Sequence, residues 1–588
     1  MIRKPLFYLF LVLLAALLYF NPNLKTILAG VAVLLFGMIM LEEGFKVFTK
    51  GPLQNVLKKA TNKLYKSISI GAFVTALIQS SSLVSVITIS FISAGLISLS
   101  GGIGLIFGAN IGTTATAWLV AGFGLKIKIS ALALPMLVFG IVFSFQKKIE
   151  LKGIGNVLAG LGFFFLGIHY MKEGFDVFKE FIDLKQYAMS GFLGVVVYTG
   201  IGIFITTILQ SSSATMALIL TALSAGQIEY ENALALAIGA NIGTTITAVL
   251  GSLSSNIAGK RLAAAHLIFN VVTGVVALLG IYLLSDLVNI ISDFVHIAKN
   301  DYALKLAVFH TIFNVLGVLI MIPFIAKLEK FLIRTFKERT NKGVEEPKYL
   351  NEAVLEFPGS VISALINESK YLYKNAIFEI VAHALNIHRE DIKSTEEITE
   401  IVKKSTKDLN INVDELYYTK VKTIYGEIIK YAATAQSKLT LNKTENKSIS
   451  DIKIANRKMI EIIKDVKELN RNITSTANFN NPYLKEEYDG FRQKLTKVLR
   501  TIYWFRKEED NVKYAEILSK LKTEAKHNYR HTSKSIDNLI RKDLITAENA
   551  SSLFNDYSNV NDITKKLINV AELLYGKTDT LLEDDIEK

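Results

Sequence analysis

The sequence predicts an all-α protein in two parts: a polytopic membrane domain over residues 1–335 and a soluble helical bundle over residues 345–588. Three observations carry this. Charge is unevenly spread: residues 1–330 hold 23 Lys and Arg and 13 Asp and Glu, while the remaining 258 residues hold 43 and 40. Apolar runs of spanning length recur through the first part only. Long charged segments with apolar residues at helical spacing fill the second.

The elements of the membrane part follow from apolar length, and their direction from the gathering of Lys and Arg in short cytoplasmic loops. Arg3 and Lys4 hold the N-terminus inside, so residues 5–21 run outward as a first span; a cleaved signal peptide is the alternative reading of this stretch. Residues 27–48 return to a cluster of Lys50, Lys58, Lys59, Lys63 and Lys66 with no acid among them. Residues 68–98 are interrupted by Gln79-Ser80-Ser81-Ser82 and near the end by Gly95, and read as two half-helices forming a re-entrant hairpin. Spans follow at 102–122 and 127–146, the latter ending at Lys147, Lys148 and Lys152, with Lys126 and Lys128 discordant on the outer turn. Residues 154–174 exit, residues 192–223 form a second hairpin from outside, and spans 229–250, 262–284 and 303–326 finish on Lys327, Lys330 and Arg334. The expectation is eight spans plus two hairpins in the cytoplasmic membrane, with both termini cytoplasmic.

An internal repeat underlies this order. LFGMIMLEEGFKVF (35–48) matches FLGIHYMKEGFDVF (165–178) at an offset of 130. Gln79-Ser80-Ser81-Ser82 matches Gln210-Ser211-Ser212-Ser213, and Gly108-Ala109-Asn110-Ile111-Gly112-Thr113-Thr114 matches Gly239-Ala240-Asn241-Ile242-Gly243-Thr244-Thr245, both at 131. By the charge path the first copy (27–146) opens out-to-in and the second (154–284) in-to-out. That is an inverted repeat, which in secondary transporters places broken helices and the substrate site near the bilayer midplane.

A single QSSS cluster would read as helix packing through small hydroxyl residues. The duplicated, identically spaced pair of Q-S-S-S and G-A-N-I-G-T-T motifs instead points to a binding site of exposed backbone groups supplemented by hydroxyls and amides. Between residues 5 and 326 the only Arg is Arg261, beside a loop, and no Lys stands in mid-span. Such a site holds an anion at helix N-termini and Ser hydroxyls, and gains most when mobile cations cancel its charge. Hydroxyl, amide and carbonyl oxygens suit a small hard cation. A third motif, A-x-x-H-x-x-F-N, occurs at His266 and Asn270 and again at His310 and Asn314. These are read as structural polar contacts between spans 262–284 and 303–326, a direct role for intramembrane His being the alternative. Glu43 and Glu173 are read as interfacial.

On these residues, the stretch from about 27 to 326 closely resembles the Na+/phosphate cotransporter family, the type II group and its bacterial relatives. The resemblance rests on L-F-G-M-x-x-x-x-E-G at 35–44, both Q-S-S-S motifs, both G-x-N-I-G-T-T motifs and the H-x-x-F-N elements. It implies Na+-coupled import of inorganic phosphate by alternating access, with Na+ as a co-transported ion. It implies phosphate at Gln79, Ser80, Ser81, Ser82, Gln210, Ser211, Ser212 and Ser213. It implies sodium at Gln79, Ser82, Asn110, Thr113, Thr114, Gln210, Ser213, Asn241, Thr244 and Thr245. Some animal relatives carry an Asp shortly after the first N-I-G-T, linked to electrogenic transport; Ala121-Gly122-Phe123-Gly124 stands there in this chain.

In the soluble part six helices are expected at about 357–388, 413–441, 448–477, 482–507, 511–541 and 543–577, as two three-helix units. Its length, its helix count and the L-N-E-A-V-L-E-F-P stretch (350–358) resemble the PhoU regulatory domain. The R-x-G-D-type sequence that accompanies metal binding there is missing, the comparable stretch reading ENKSISDIKIANRKM. Rival readings are another oxyanion, H+ coupling, or a membrane phosphate sensor signalling through the tail. The opposed dead-end hairpins argue against a channel, and the lack of a P-loop argues against an ATP-hydrolysing enzyme. The lipid bilayer is an expected partner and nucleic acid is not; a homodimer and a cytoplasmic partner of the tail are compatible with the sequence.

Overall fold

The computed structural model of the protein describes residues 3–49, 63–126, 129–179, 188–337, 344–355, 357–405, 409, 412–477, 481–508, 511–527 and 529–576. Every regular element among them is helical. The chain divides into two units, Met1–Glu338 with Asn351–Ala353, and Arg339–Leu350 with Val354–Lys588. Of the charges that orient the spans, Lys50, Lys58, Lys59 and Lys128 lie outside the described residues.

The first unit runs α1 (Arg3–Phe20), α2 (Pro22–Thr49), α3 (Leu64–Ile78), α4 (Ser81–Ser93), α5 (Leu99–Gly112), α6 (Thr114–Trp118), α7 (Ile129–Ser144), α8 (Ile149–Lys179), α9 (Gly191–Leu209) and α10 (Ser212–Ser224). It continues through α11 (Tyr230–Gly243), α12 (Thr245–Ser252), α13 (Ile257–Leu279), α14 (Ile281–Phe294), α15 (Tyr302–Met321) and α16 (Ile325–Thr335). It is a multi-pass membrane unit. Among the described residues seven helices are long and apolar enough to cross a membrane: Leu24–Val47, Leu99–Gly124, Ile149–Lys179, Gly191–Leu209, Tyr230–Ser252, Ile257–Leu279 and Tyr302–Thr335. Leu11–Phe20 of α1 and Leu132–Ser144 of α7 are further apolar helices among the described residues, and α9, expected as half of a hairpin, reaches 19 residues. Span 262–284 begins earlier, at Ile257, and breaks at Gly280. Arg261 therefore lies in the first turns of α13, where its Nε and Nη2 donate to the Phe336 carbonyl at 3.0 and 2.5 Å. The discordant Lys126 is answered by Asp301, 2.7 Å from its Nζ.

Small residues set the packing. A Cβ built on Gly108 of α5 would stand 2.0 Å from the Ile68 carbonyl oxygen of α3, and one on Gly112 would stand 2.5 Å from that of Ala72. The contacts rise together along both helices, so α3 and α5 run parallel with their backbones in contact. The 13-residue α4 between them must run back, and α3–α4 is a hairpin. The second copy repeats this: Gly239 of α11 meets the Thr199 carbonyl of α9 and Gly243 meets that of Ile203, which makes α9–α10 a hairpin too. The return arms are interior helices. From Leu83 to Ser93 of α4 all residues but Val86 are buried, and so are Ser212–Ala217 and Ile219–Leu223 of α10. Helices hydrophobic on every side belong inside.

The helices that open the two copies, α2 and α8, pack against each other in the opposite sense. Gly30, Gly37 and Gly44 on α2 and Gly153, Gly160, Gly167 and Gly174 on α8 each recur every seven residues. Gly44 faces Gly153, Gly37 faces Gly160 and Gly30 faces Gly167, so the pair is antiparallel. A Cβ on Gly37 would lie 2.5 Å from the Phe164 nitrogen. Backbone approach of this kind is how helices associate where burying apolar surface gains little.

Among the described residues the second unit has long helices over Lys443–Ala477, Pro482–Lys507 and Ala547–Tyr575, and five more over Pro358–Leu372, Phe378–Ala384, Lys422–Lys438, Val512–His527 and Tyr529–Arg541. The first of the six expected helices stops at Ala384 instead of 388, because Asn386 takes a left-handed backbone (φ 56°). Two short helices follow, Arg389–Lys393 and Ile398–Lys404. Arg492 and Arg500 hold them by donating to the carbonyls of Leu385, Val402 and Ser405 and of Ile392, Glu396 and Asp391.

One carboxylate here gives a pH prediction. Glu368 is fully buried and accepts from the backbone N–H groups of Lys348 (2.9 Å) and Tyr349 (2.7 Å). Burial pushes its carboxyl up from 4.5 to about 7, against those hydrogen bonds. The folded state thus holds the proton more tightly than the unfolded chain does. The stability it contributes is complete below pH 4.5 and is lost as pH rises through about 7. Glu368→Gln should stabilise this unit by about 1–3 kcal/mol at about pH 8 and by far less at about pH 5, read from thermal melts. Equal shifts at both pH values would contradict it.

Candidate functional site

Each QSSS motif is the turn of a hairpin. In the first, α3 ends at Ile78 and Gln79 takes a left-handed backbone (φ 59°, ψ 23°) while its N–H still donates to Thr75. Ser80 is extended and caps α4, its Oγ accepting from the Leu83 N–H at 3.2 Å. In the second, Gln210 (φ 52°) and Ser211 repeat this, Ser211 Oγ accepting from the Ala214 N–H at 3.2 Å. Serine is a preferred N-cap, and the two serines after it form the first turn of the return helix, where N–H groups lack intrahelical partners. A glutamine in the left-handed region is strained, and its recurrence at both breaks marks the turns as built features.

The tips are joined. Thr116, on α6, bonds Gln79 Oε1 at 2.8 Å and Ser213 Oγ at 3.1 Å, so one hydroxyl links the first tip to the second. The Gln79 Nε2 donates back to the Ala76 carbonyl. One face of α2 also meets both tips. Ser80 Oγ donates to Glu42 Oε2 at 3.2 Å, and Ser211 Oγ lies 3.9 Å from Met38 Sδ. Residues four apart lie on one side of a helix. The two cap serines therefore sit within about one helical turn of each other along α2.

The other expected residues divide. Ser212 and Ser213 are buried, Ser81 and Ser82 half-buried, and Gln210 is exposed. Asn110 and Asn241 are both buried at the ends of α5 and α11. Asn110 Nδ2 donates to the Ile106 carbonyl at 2.9 Å. Asn241 instead donates to Asn314 Oδ1 at 2.7 Å, with its Oδ1 3.3 Å from His310 Nε2. His310 and Asn314 thus brace the second motif itself, whereas a contact across to α13 was expected of them. His266 Nδ1 and Asn270 Oδ1 are buried with no hydrogen-bond partner. Thr113, Thr114 and Thr245 donate back to helix carbonyls at 2.6–2.8 Å, and Thr244 is buried beside them. The two glycines of each G-A-N-I-G-T-T motif are packing residues, pressed on the hairpin's outer arm.

Sequence reasoning did not find Thr116, Met38 or Glu42. Among the described residues the cluster offers hydroxyls, amides, two helix N-termini and a single carboxylate. The buried Lys305 is elsewhere, donating to Asn289 Oδ1 at 2.9 Å.

A multi-pass unit whose two broken helices meet tip to tip has the form of a solute-binding membrane protein. Comparison with known proteins agrees. Residues 33–173 and 184–323 both match the Na+/Pi-cotransporter family model. The uncharacterized protein YqeW of Bacillus subtilis is 31% identical over 305 residues, covering 50% of this chain and 92% of that one. The chain belongs to the Na+/Pi-cotransporter family. The putative inorganic phosphate export protein YjbB of Escherichia coli is 26% identical over 350 residues, and the chain spans 62% of its length. The sodium-dependent phosphate transport protein 2C of Mus musculus is 40% identical over 86 residues, 14% of each chain. No solved structure matches the chain.

Proposed function

We propose that this protein is a sodium-coupled transporter of inorganic phosphate that works by alternating access, with the second unit as a cytoplasmic regulatory domain. The observation that carries the reading is the Thr116 bridge between the two hairpin tips, which gathers Gln79, Ser80, Ser211 and Ser213 at one locus. Two helix N-termini whose first turns carry the Ser81, Ser82, Ser212 and Ser213 hydroxyls fit a tetrahedral oxyanion, and neutral oxygens fit sodium. The antiparallel packing of α2 and α8 supports an inverted repeat, as alternating access between matched halves requires. The gathering of Lys and Arg supports cytoplasmic termini. With sodium high outside, coupled flow runs inward. The Escherichia coli relative's description as a putative exporter favours efflux as a second reading.

The full-length chain in liposomes should accumulate radiolabelled phosphate under an inward sodium gradient, and preloaded liposomes report efflux in the same assay. Uptake equal in sodium, potassium and choline would refute coupling, and no flux in either direction would favour a sensor. Ser81→Ala and Ser212→Ala, at the first positions of α4 and α10, should each cut phosphate transport by about tenfold or more at normal membrane abundance, since a hydrogen bond to a charged group is worth ~1.5–3 kcal/mol. Unchanged affinity in either variant would refute a shared site.

A further inference from the structure

From the geometry at the first tip we infer that Glu42 is a positioning residue that makes phosphate binding at Ser80 conditional on a bound sodium ion. This rests on the transport reading above and deepens it. The only proton of the Ser80 hydroxyl goes to Glu42 Oε2, while its oxygen accepts from the Leu83 N–H and keeps one lone pair open. A phosphate oxygen can take that donor only by displacing a carboxylate, and the two anions then share one corner of the site. A cation between them removes the conflict, and Glu42 supplies a hard oxygen ligand for it beside the Ser80 oxygen.

Lys46 meets the other oxygen, Oε1, at 2.8 Å, but the pair is one turn along α2 with the lysine side chain 44% exposed. Such i,i+4 pairs are weakly held and yield to a competing ion. The device belongs to one copy. At the repeat offset of 130, the residue matching Glu42 is Lys172, and the matching cap serine, Ser211, faces the thioether of Met38. Two tips alike in backbone and in QSSS sequence thus differ in charge, and among the described residues only the first is bonded to an acid.

Binding linkage provides the test, because a cation that helps phosphate bind is helped by it in equal measure. Initial phosphate uptake by the full-length chain in liposomes is measured at low and at saturating sodium. In the wild type the half-saturating phosphate concentration should fall by about tenfold or more as sodium rises. Glu42→Gln keeps an oxygen for the Ser80 hydroxyl and removes the charge, and should reduce that change to about twofold or less. Glu42→Asp, which keeps the charge, should restore most of it, and the exposed Glu43→Gln should leave it intact. A wild-type-sized sodium effect in Glu42→Gln, even with a lower maximal rate, overturns the inference and leaves the transport reading standing. Wild-type uptake indifferent to sodium overturns the coupled-transport reading itself, and this inference with it.

Discussion

Thr116→Val should lower phosphate transport by about tenfold to a hundredfold while the protein reaches the membrane in normal amount. Valine fills the space of threonine but leaves Gln79 Oε1 and Ser213 Oγ without their shared partner. A buried polar atom left unpaired costs ~1–3 kcal/mol, Gln79 being half-buried and Ser213 buried, and both belong to the tips proposed to hold phosphate. The effect should appear mainly as weaker phosphate binding. Thr247→Val is the internal comparison. It is the repeat equivalent at offset 131, yet its hydroxyl donates to the Thr244 carbonyl at 2.8 Å, so it should cost far less. Equal losses in the two variants would show that the bridge has no special part.

Gly108→Ala should act on assembly rather than on binding. Its new Cβ would meet the Ile68 carbonyl oxygen at 2.0 Å and the Ala72 nitrogen at 2.8 Å, and backbone atoms cannot rotate away as a side chain can. Separating α3 from α5 undoes the contact that holds the first hairpin, at a cost of ~2–4 kcal/mol. The expected result is a large drop in monodisperse protein by size exclusion in detergent. Gly122→Ala, with nothing within 4 Å of its Cβ, should behave as wild type. A normal elution profile and melt for Gly108→Ala would contradict the tight parallel pairing.

Much of this site could be read before the structure. Gln79 and Ser80–Ser82 were conspicuous because polar side chains interrupt an apolar run. Their reappearance at 210–213, with Asn110 and Asn241 at matched spacing, argues for binding over packing. The residues that complete the locus were hidden for different reasons. Thr116 is one hydroxyl among many in an apolar stretch, and its repeat partner Thr247 bonds elsewhere, so symmetry gives no hint. Glu42 stands beside Glu43 near a helix end, and only the docking of the tips on α2 tells the acid that faces inward from the one that does not. The α9 arm reaches 19 residues where the sequence predicts half a span, because the helix continues unbroken up to Gln210. The two glycines of G-A-N-I-G stand four residues apart, the spacing of close helix packing, but their partner, the hairpin's own outer arm, follows from the tertiary fold alone.

The seven-residue glycine repeat shared by α2 and α8 has a mechanical meaning. Each glycine is a notch, and each notch accepts backbone from the facing helix. Sliding one helix along the other drives side-chain-bearing positions into the notches until the next glycine comes into register, seven residues or about 10 Å further on. The seam therefore works as a toothed rack locked in one position. Because Met38 and Glu42 sit on α2, both tips are referenced to that locked rack, and any opening of the site must swing the hairpins around it rather than shift it.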